Sequence, residues 1–454
     1  MDKLGVITDD LTMTSGVMLA QSGIRAVSYL SAARMPRSES YEALIISTNS
    51  RNLPPRQAQQ RVRDTYRALA SHGAVHFTKR IDTTYRGGIG VEIDALLDEI
   101  GDDHTAIVAN TLSASKRITV GGYALIDGQA LSETDAARDV LSPVRESHIP
   151  TLLASQSTRQ VGEIHLGCVL AGRSELQRAI DRQSHAGSRI IVIDAITTAH
   201  VRAIAQAVTD MDLAVVCVDS GALTQQMAIC RGLGSADRLP VRSPRLASIA
   251  DARHRVLVVA GSATELTRQQ IGKLAKEKGV QIVSISPQEL LDDEMRATAI
   301  RGGVRKIRDA LARSAAQVVV VETAVSSMRI DLSSIETARK MTRGSSSARL
   351  TSGLASIVRE VLSDQRIADD LCGISMTGGD TLFAVLKAIG AEGIRFIDSV
   401  QPQANLGAIV GGPHDGLRIV GKGGMVGDDE TAKRIVTRLI LEDVCGGIRV
   451  GASK

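Results

Sequence analysis

Short aliphatic runs that end in small or polar residues recur along the chain: LGVITDD, ALIISTNS, TAIVANT, RIIVIDAI, LAVVCVDSG, RVLVVAGSA, VQIVSIS and AQVVVVET. They are continuous rather than alternating, which is the pattern of strands buried on both faces of a parallel sheet. Amphipathic stretches such as QAQQRVRDTYRALASHG and ELTRQQIGKLAKEKG lie between most of them and predict helices. The alternation predicts an α/β fold of two α/β domains with mainly parallel sheets, with ligand loops after the strand C-termini. The segment 232–255, GLGSADRLPVRSPRLASIADARHR, is rich in Ser, Pro and Arg and lacks a period. It is read as the linker between domains spanning 1–235 and 255–454. A second stretch, TRGSSSARLTSG at 342–353, is expected to form a loop inside the second domain.

Composition narrows the partners. At 454 residues the chain exceeds what one hydrophobic core organises, in keeping with two domains. Hydrophobic residues make up 43%, yet Trp is absent, Phe numbers 3 and Tyr 5, so the core must be aliphatic. The 54 basic and 50 acidic residues are interspersed, giving a formal charge of +4. Without a basic block or aromatics to stack bases, nucleic acid is not expected as a partner. A local cationic pocket for a small anion stays open. Cys168, Cys217, Cys230, Cys372 and Cys445 form no CxxC pair and are expected to be thiols in a reducing compartment. The start, MDKLGVITDD, lacks the features of a signal peptide, and no apolar run approaches the roughly 20 residues of a membrane helix. A soluble, cytoplasmic protein without a membrane partner is expected.

Several stretches carry chemistry. Asp9 and Asp10 end the first predicted strand, where carboxylates can bind polyol oxygens or take a proton from a hydroxyl; an Asp there can equally cap the next helix. In KRIDTTYRGGIGVEI, Lys79, Arg80 and Arg86 surround Asp82, and Gly87, Gly88 and Gly90 precede a helical pattern at Glu92, Ile93, Leu96 and Leu97. A Gly-rich turn, a helix start and an Arg suit a carboxylate or phosphate, against the plainer reading of a solvated tight turn. ISMTGGDTLFAVLKAIG reads as strand, Gly turn and helix, with Asp380 or Thr381 as the expected N-cap. Near VVAGSATELTRQQI, Gly261, Ser262 and Thr264 again join a strand to a helix, and Gly421, Lys422, Gly423, Gly424 and Gly427 follow another strand. Three such turns in one half point to a nucleotide. GLRIVGK meets the GxxxxGK pattern only formally: Gly423 stands where Ser or Thr should hold magnesium, and the spacer is strand-like. No GxGxxG occurs there, which disfavours a dinucleotide site. His72 and His76 stand four apart without the Glu of HExxH and are expected on a surface helix.

Taken in order, these segments resemble the four-carbon acid sugar kinases, a family long carried as a domain of unknown function. The matching stretches are ITDDLT, KRIDTTYRGGIGVEIDALL, RITVGGYALIDGQALSETDAARDVLSPVRESHIP, VAGSATELTRQQI, TGGDTLFAVLKAIG and GKGGMVGDDET. The resemblance implies an N-terminal acid-sugar-binding domain and a C-terminal nucleotide-binding domain. It implies transfer of the γ-phosphoryl group of ATP, with Mg²⁺, to the terminal hydroxyl of D-threonate, D-erythronate or a 3-oxo-tetronate. Carried onto this chain, it implies Asp9 and Asp82 as catalytic residues, Arg86 with Lys79 or Arg80 on the substrate carboxylate, and Asp10 and Arg117 also on the sugar acid. Ser262, Thr377, Gly378, Gly379, Asp380, Thr381 and Gly423 would hold ATP. Asp380, Asp428 and Asp429 are the candidate outer ligands of Mg²⁺, domain closure would exclude water, and a homodimer is implied by the resemblance alone.

The chain departs from the family in its first half. Met13, Thr14 and Gly16 replace the Gly, Ala and Asp of DDxTGAxD, DTTYRGG replaces DSTLRGN, and ANTLSASKR keeps only Ala109 and Arg117 of the Pro-rich motif. These departures motivate a second reading, a homologue that binds nucleotide without catalysis. A third, a hydroxy-acid oxidoreductase, rests on the α/β pattern and is opposed by the missing GxGxxG.

Overall fold

The computed structural model describes residues 2–11, 13–35, 41–101, 103–139, 141–235, 255–312, 316–323 and 330–445. Thr12, most of the expected linker (236–254) and the Cys445 side chain lie outside the described residues. The chain divides into two compact units, Met1–Leu239 and Pro240–Lys454.

The first unit carries β1 (Lys3–Thr8), β2 (Ala26–Tyr29), β3 (Ala43–Ser47), β4 (Ala74–Arg80) and β5 (Thr105–Val108). After a small antiparallel set, β6 (Arg117–Val120), β7 (Tyr123–Ile126) and β8 (Gln129–Ala130), come β9 (Val161–Ile164), β10 (Ile190–Ile193) and β11 (Val215–Asp219). The main sheet runs β2-β3-β1-β4-β11-β5-β10-β9 and is parallel throughout. Its strands are buried on both faces, as continuous aliphatic runs require. The chain leaves β1 on one side to make β3 and β2 and returns on the other to make β4. Such a reversal opens a crevice at the strand carboxyl ends. Helix Ile89–Ile100 buries Ile89, Ile93, Leu96 and Leu97, the stripe expected from its spacing. A fully buried aliphatic side chain of this kind stabilises by about 1.5–3 kcal/mol.

The second unit carries β12 (Arg255–Ala260), β13 (Val280–Ser284), β14 (Val318–Glu322), β15 (Leu371–Thr377), β16 (Gly393–Gln401), β17 (Ala404–Val410) and β18 (Arg418–Lys422). The order is β13-β14-β12-β15-β18-β17-β16, parallel as far as β18 and antiparallel beyond it. Both units are therefore α/β with mainly parallel sheets. Among the described residues no helix is long and apolar enough to cross a membrane. Cys168, Cys217, Cys230 and Cys372 form no disulfide among the described residues.

Two local expectations are corrected. His72 and His76 do not share a helix: the helix Pro55–Ser71 ends before His72, Gly73 turns the chain at φ +88°, and His76 lies on β4. The stretch 342–353 is not a loop, because helix Ser345–Leu362 begins within it. Its apolar stripe, Leu354, Ile357, Val358, Val361 and Leu362, starts only after the Ser-rich turns. Those turns are held by a remote carboxylate: Glu336 accepts from the Gly344 and Ser346 amides at 3.0 and 2.9 Å. Satisfying amides at a helix start with an anion is stabilising, and this anion comes from the preceding helix, Leu332–Ala338. Glu336→Ala should cost about 1 kcal/mol, the usual worth of a cap, and should expose the Gly344 and Ser346 amides to hydrogen exchange. Unchanged protection of both amides would show that the helix start does not depend on this carboxylate.

Candidate functional site

In the first unit, register gathers the charged residues. Thr8 lies opposite Ser47 on one side and Arg80 on the other, and Asp219 lies opposite Arg80. The chain leaving each strand therefore emerges at one level. Asp9 and Asp10 follow β1, Arg51 follows β3, and Asp82 follows β4. Arg51 bridges to Asp9 and to Asp10, both at 2.7 Å, and reaches Asp82 at 3.8 Å. Arg80 pairs with Asp10 at 2.9 Å and Asp9 at 3.3 Å. Arg86 grips Asp82 through Nε at 2.8 Å and Nη2 at 3.2 Å, and holds Asp139 through Nη1 at 2.9 Å. Beneath them Lys79 is fully buried on Glu92 at 2.8 Å, and Glu92 also accepts from Ser50 at 2.9 Å.

The turn that carries Asp82 and Arg86 is strained and braced. Tyr85 takes φ +55° while buried, a costly conformation for a bulky residue. Burial pushes its hydroxyl up to about 12. Thr84 donates to the Asp82 carboxylate from both its amide and its hydroxyl, and Asn110 donates to the Asp82 carbonyl at 3.1 Å. Gly87 completes the turn at φ +96°. Gly90 serves packing rather than a ligand: a Cβ there would meet the Leu153 carbonyl and Gln156. A cavity of about 210 Å³ opens here, walled in part by Arg51, Tyr85, Gly87, Gly88, Ser142 and Gln156. It is smaller than the roughly 300 Å³ at which drug-sized pockets begin, and of the charged cluster only Arg51 lines it.

The carboxylates are tuned apart. Burial alone would raise Asp82, but Arg51, Arg86 and Arg80 hold it well below the usual carboxylate range. Asp9 is buried too and is held down by Arg51, Lys79 and Arg80. Asp10 goes the other way: burial, with repulsion from Asp9 and Asp82, outweighs Arg51 and Arg80 and raises it. Its side chain keeps 28% exposure against 5% for Asp9 and 9% for Asp82. Arg117, at the start of β6, is a different case. Its Nη1 donates to the Ser115 carbonyl at 2.9 Å, its Nε is buried without a partner, and no carboxylate pairs with it among the described residues. Burial lowers its pKa, and it feels both Asp82 and Arg86.

In the second unit three glycine turns converge on one another. A Cβ at Gly261 would collide with Thr381 Oγ1, and one at Gly424 with Ser262 Oγ. Thr264, N-cap of helix Glu265–Leu274, donates to the Gly424 carbonyl at 2.8 Å. Gly378, at φ +103°, links Thr377 to helix Gly379–Ala388, and its amide donates to the Lys422 carbonyl at 2.9 Å. The expected cap by Asp380 or Thr381 is not made: Gly378 is the N-cap, and no side chain satisfies the first amides. Ser262, Thr377, Gly378, Gly379, Asp380, Thr381 and Gly423 thus lie at or beside one junction. Asp428 pairs with Arg434 and Asp429 with Lys273, whereas Asp380 is exposed and makes no ion pair among the described residues.

Comparison with known proteins agrees with this division. Residues 4–227 match the family model of a sugar-binding N-terminal domain, and residues 257–432 that of a nucleotide-binding C-terminal domain. The chain is 34% identical over 447 residues to a D-erythronate kinase of Heliobacterium modesticaldum, covering 97% of this chain and 98% of that one. It belongs to the four-carbon acid sugar kinase family. Another member of this family, a D-threonate kinase of Salmonella typhimurium, is 30% identical over 94% of this chain and 96% of its own. Two solved structures share the fold. A Salmonella typhimurium LT2 protein described as a tRNA synthase has a TM-score of 0.75 at 20% identity, covering 96% of this chain and 98% of that one. A Haemophilus influenzae protein has 0.68 at 19%, covering 95% and 98%. At such identities the likeness speaks for the fold alone.

Arg51 is the residue that sequence reasoning missed, although it ties Asp9, Asp10 and Asp82 together. Its signal was its place just after ALIISTNS, at the carboxyl end of a buried strand like Asp9 and Asp82. Glu92 was read only as part of a helical stripe, and Asp139 had no signal of its own.

Removing one partner of a buried ion pair leaves an uncompensated charge. Lys79→Met should therefore cost about 3–5 kcal/mol in chemical denaturation, and Lys79→Met with Glu92→Met should recover much of it. A double variant as unstable as the single would show that the pair is not the reason. Asp82 gives a pH test. Its folded-state pKa lies below the unfolded value, so its contribution is complete above about pH 4 and fades as pH falls through the folded value. Asp82→Asn should be less stable than wild type at neutral pH and lose less on acidification. Parallel losses in both proteins would exclude this linkage.

Proposed function

We propose that the protein transfers the γ-phosphoryl group of ATP to the terminal hydroxyl of a four-carbon sugar acid of the D-erythronate, D-threonate or 3-oxo-tetronate type. The observation that carries the reading is the charge inventory of the sugar-binding unit. Arg51, Arg80, Arg86 and Lys79 are each matched by a carboxylate, and Arg117 has none among the described residues. Of these five cations Arg117 is the one left to take the carboxylate of a sugar acid, and the surrounding Asp and Arg side chains offer acceptors and donors to its hydroxyls. Arg86 stands by through Asp82 and Asp139, and Lys79 acts at one remove by holding Glu92 and the floor of the cluster.

Phosphoryl transfer depends chiefly on positioning and charge neutralisation. The attacking hydroxyl loses its proton as its oxygen bonds to phosphorus and ADP departs. Asp10 suits the acceptor role better than Asp9 or Asp82, because it is the more exposed and its carboxyl is raised toward the proton affinity a base needs. In this reading Asp9 and Asp82 hold the arginines in place. In the nucleotide-binding unit, no side chain caps helix Gly379–Ala388, and its first amides are the candidate donors to phosphate oxygens. Mg²⁺ offsets phosphate charge when it accompanies the nucleotide, and Asp380 is the candidate carboxylate without an ion pair.

The test is ADP release with Mg·ATP and a panel of D-threonate, D-erythronate, L-threonate and 3-oxo-tetronates. Turnover on one member is expected; nucleotide binding with no turnover on any would overturn the kinase reading. Asp10→Asn should lower kcat by about 10²–10⁴-fold with a smaller change in KM. Arg117→Ala should raise KM for the sugar acid by about 10–100-fold, the worth of a charge-assisted hydrogen bond, and leave KM for ATP alone. An equal rise in both KM values would count against Arg117 as the carboxylate ligand.

A further inference from the structure

Lys422 is the last residue of β18, in register with Thr377 at the end of β15 and with Ala404 on β17. Its residue exposure is 6%, and its Nζ donates to the Gly423 carbonyl at 2.9 Å. No carboxylate pairs with it among the described residues. Lys79 in the first unit shows what a buried lysine ordinarily requires, since it is closed on Glu92 at 2.8 Å. A buried ammonium without a counter-charge is costly, and burial alone pushes the Lys422 pKa down to about 8.

Among the described residues, the elements packed around Lys422 place no carboxylate in an ion pair with it. β15 (LCGISMT) and β17 (ANLGAIV) carry no acidic or basic residue. Helix Gly379–Ala388 carries Asp380, which is exposed, and Lys387. On helix Thr431–Cys445, Lys433 is taken by Glu277, Arg434 by Asp428, and Arg438 by Asp398 and Glu442. Arg418, at the opposite end of β18, faces Glu442 at 3.9 Å.

What lies at this end of β18 is a second unmet demand. The Lys422 carbonyl receives the Gly378 amide, so Lys422 is pinned to the turn that starts helix Gly379–Ala388. No side chain caps that helix, and the amides of Gly379, Asp380 and Thr381 have no intrahelical acceptor. The Lys422 backbone and the uncapped amides lie at one junction, and a lysine without a carboxylate among the described residues and amides without acceptors are both answered by a tetrahedral dianion. The formal GxxxxGK match in GLRIVGK failed as a P-loop because its spacer is a strand. Its lysine nevertheless stands at a strand end, bonded through its backbone to the turn that starts a helix.

We propose that Lys422 is the cation that binds the terminal phosphates of the nucleotide, together with the amides at the head of helix Gly379–Ala388. The proposal rests on the nucleotide reading of the second unit and adds to it a residue and the phosphates it serves. In the free protein Lys422 Nζ holds only the Gly423 carbonyl among the described residues, and it gains its counter-charge when the nucleotide enters.

The experiment is calorimetric titration of the full chain with AMP, ADP and ATP in the presence of Mg²⁺, for wild type, Lys422→Met and Lys422→Arg. Lys422→Met should weaken ADP and ATP by about 10–100-fold and AMP by less than about twofold, with partial recovery in Lys422→Arg. The wild type provides a check that needs no variant. At pH 8 a lysine that is partly neutral must take up a proton on meeting phosphate, so the heat of ADP binding should vary with the ionisation enthalpy of the buffer. Equal loss for AMP and ATP in Lys422→Met would mean that the lysine merely shapes the turn. Undiminished ADP binding by Lys422→Met, or ADP binding by wild type at pH 8 without proton uptake, would also overturn the proposal. No binding of any adenine nucleotide by wild type would instead bring down the nucleotide reading itself, and the proposal with it.

Discussion

Parallel strands in register are the constraint on which the rest of this structure depends. Thr8 has Ser47 on one side and Arg80 on the other, so the residues that follow β1, β3 and β4 leave the sheet at one level. A parallel sheet that reverses its order at β1 leaves a crevice there, and polar residues at the strand ends have no other place to go. The second unit repeats the device with different residues: Ala260, Thr377 and Lys422 end neighbouring strands, and glycine turns follow each. One architecture thus makes a charged site and a glycine-walled site, according to what stands just past each strand.

Burial makes the charged site demanding. Carboxylates and guanidinium groups taken out of water need partners, and in the first unit nearly all have them. The result is divided proton affinities: Asp9 and Asp82 are held down by arginines, and Asp10, more open and repelled by its neighbours, is raised. Against that background the exceptions stand out. Half-buried Arg117 in the first unit and buried Lys422 in the second are two cations that pair with no carboxylate among the described residues. Evolved sites commonly carry such local costs where a ligand completes the arrangement. Each would be met by an anion that the reaction supplies, a sugar-acid carboxylate in one case and a nucleotide phosphate in the other.

The departures from the family pattern acquire a physical setting. Tyr85, where the family has Leu, holds a positive φ and walls the small cavity, so the altered motif bears directly on its shape. Met13 and Gly16 are buried at the start of helix Thr14–Gln21, where Met13 is the N-cap without a side-chain bond. The core of the charge cluster, Asp9, Asp10, Asp82 and Arg86, is retained and joined by Arg51.

The aliphatic runs alone determined the α/β class and the parallel character of the sheets, because a strand buried on both faces has to be apolar along its whole length. The same runs marked where the chain leaves each strand, and the strand-end positions of Asp9, Asp10, Asp82 and the glycine turns were legible for that reason. Helix starts were less so. The uncapped head of Gly379–Ala388 and the helix inside 342–353 depend on what is absent or on a carboxylate from another element, Glu336. Which charges pair was not legible at all. Arg51 meets Asp9 and Asp10, Lys79 meets Glu92, and Lys422 meets no carboxylate among the described residues, because strand order and register bring distant residues to the same level. Local pattern encodes the strands; only their arrangement in three dimensions decides which charge meets a partner and which does not.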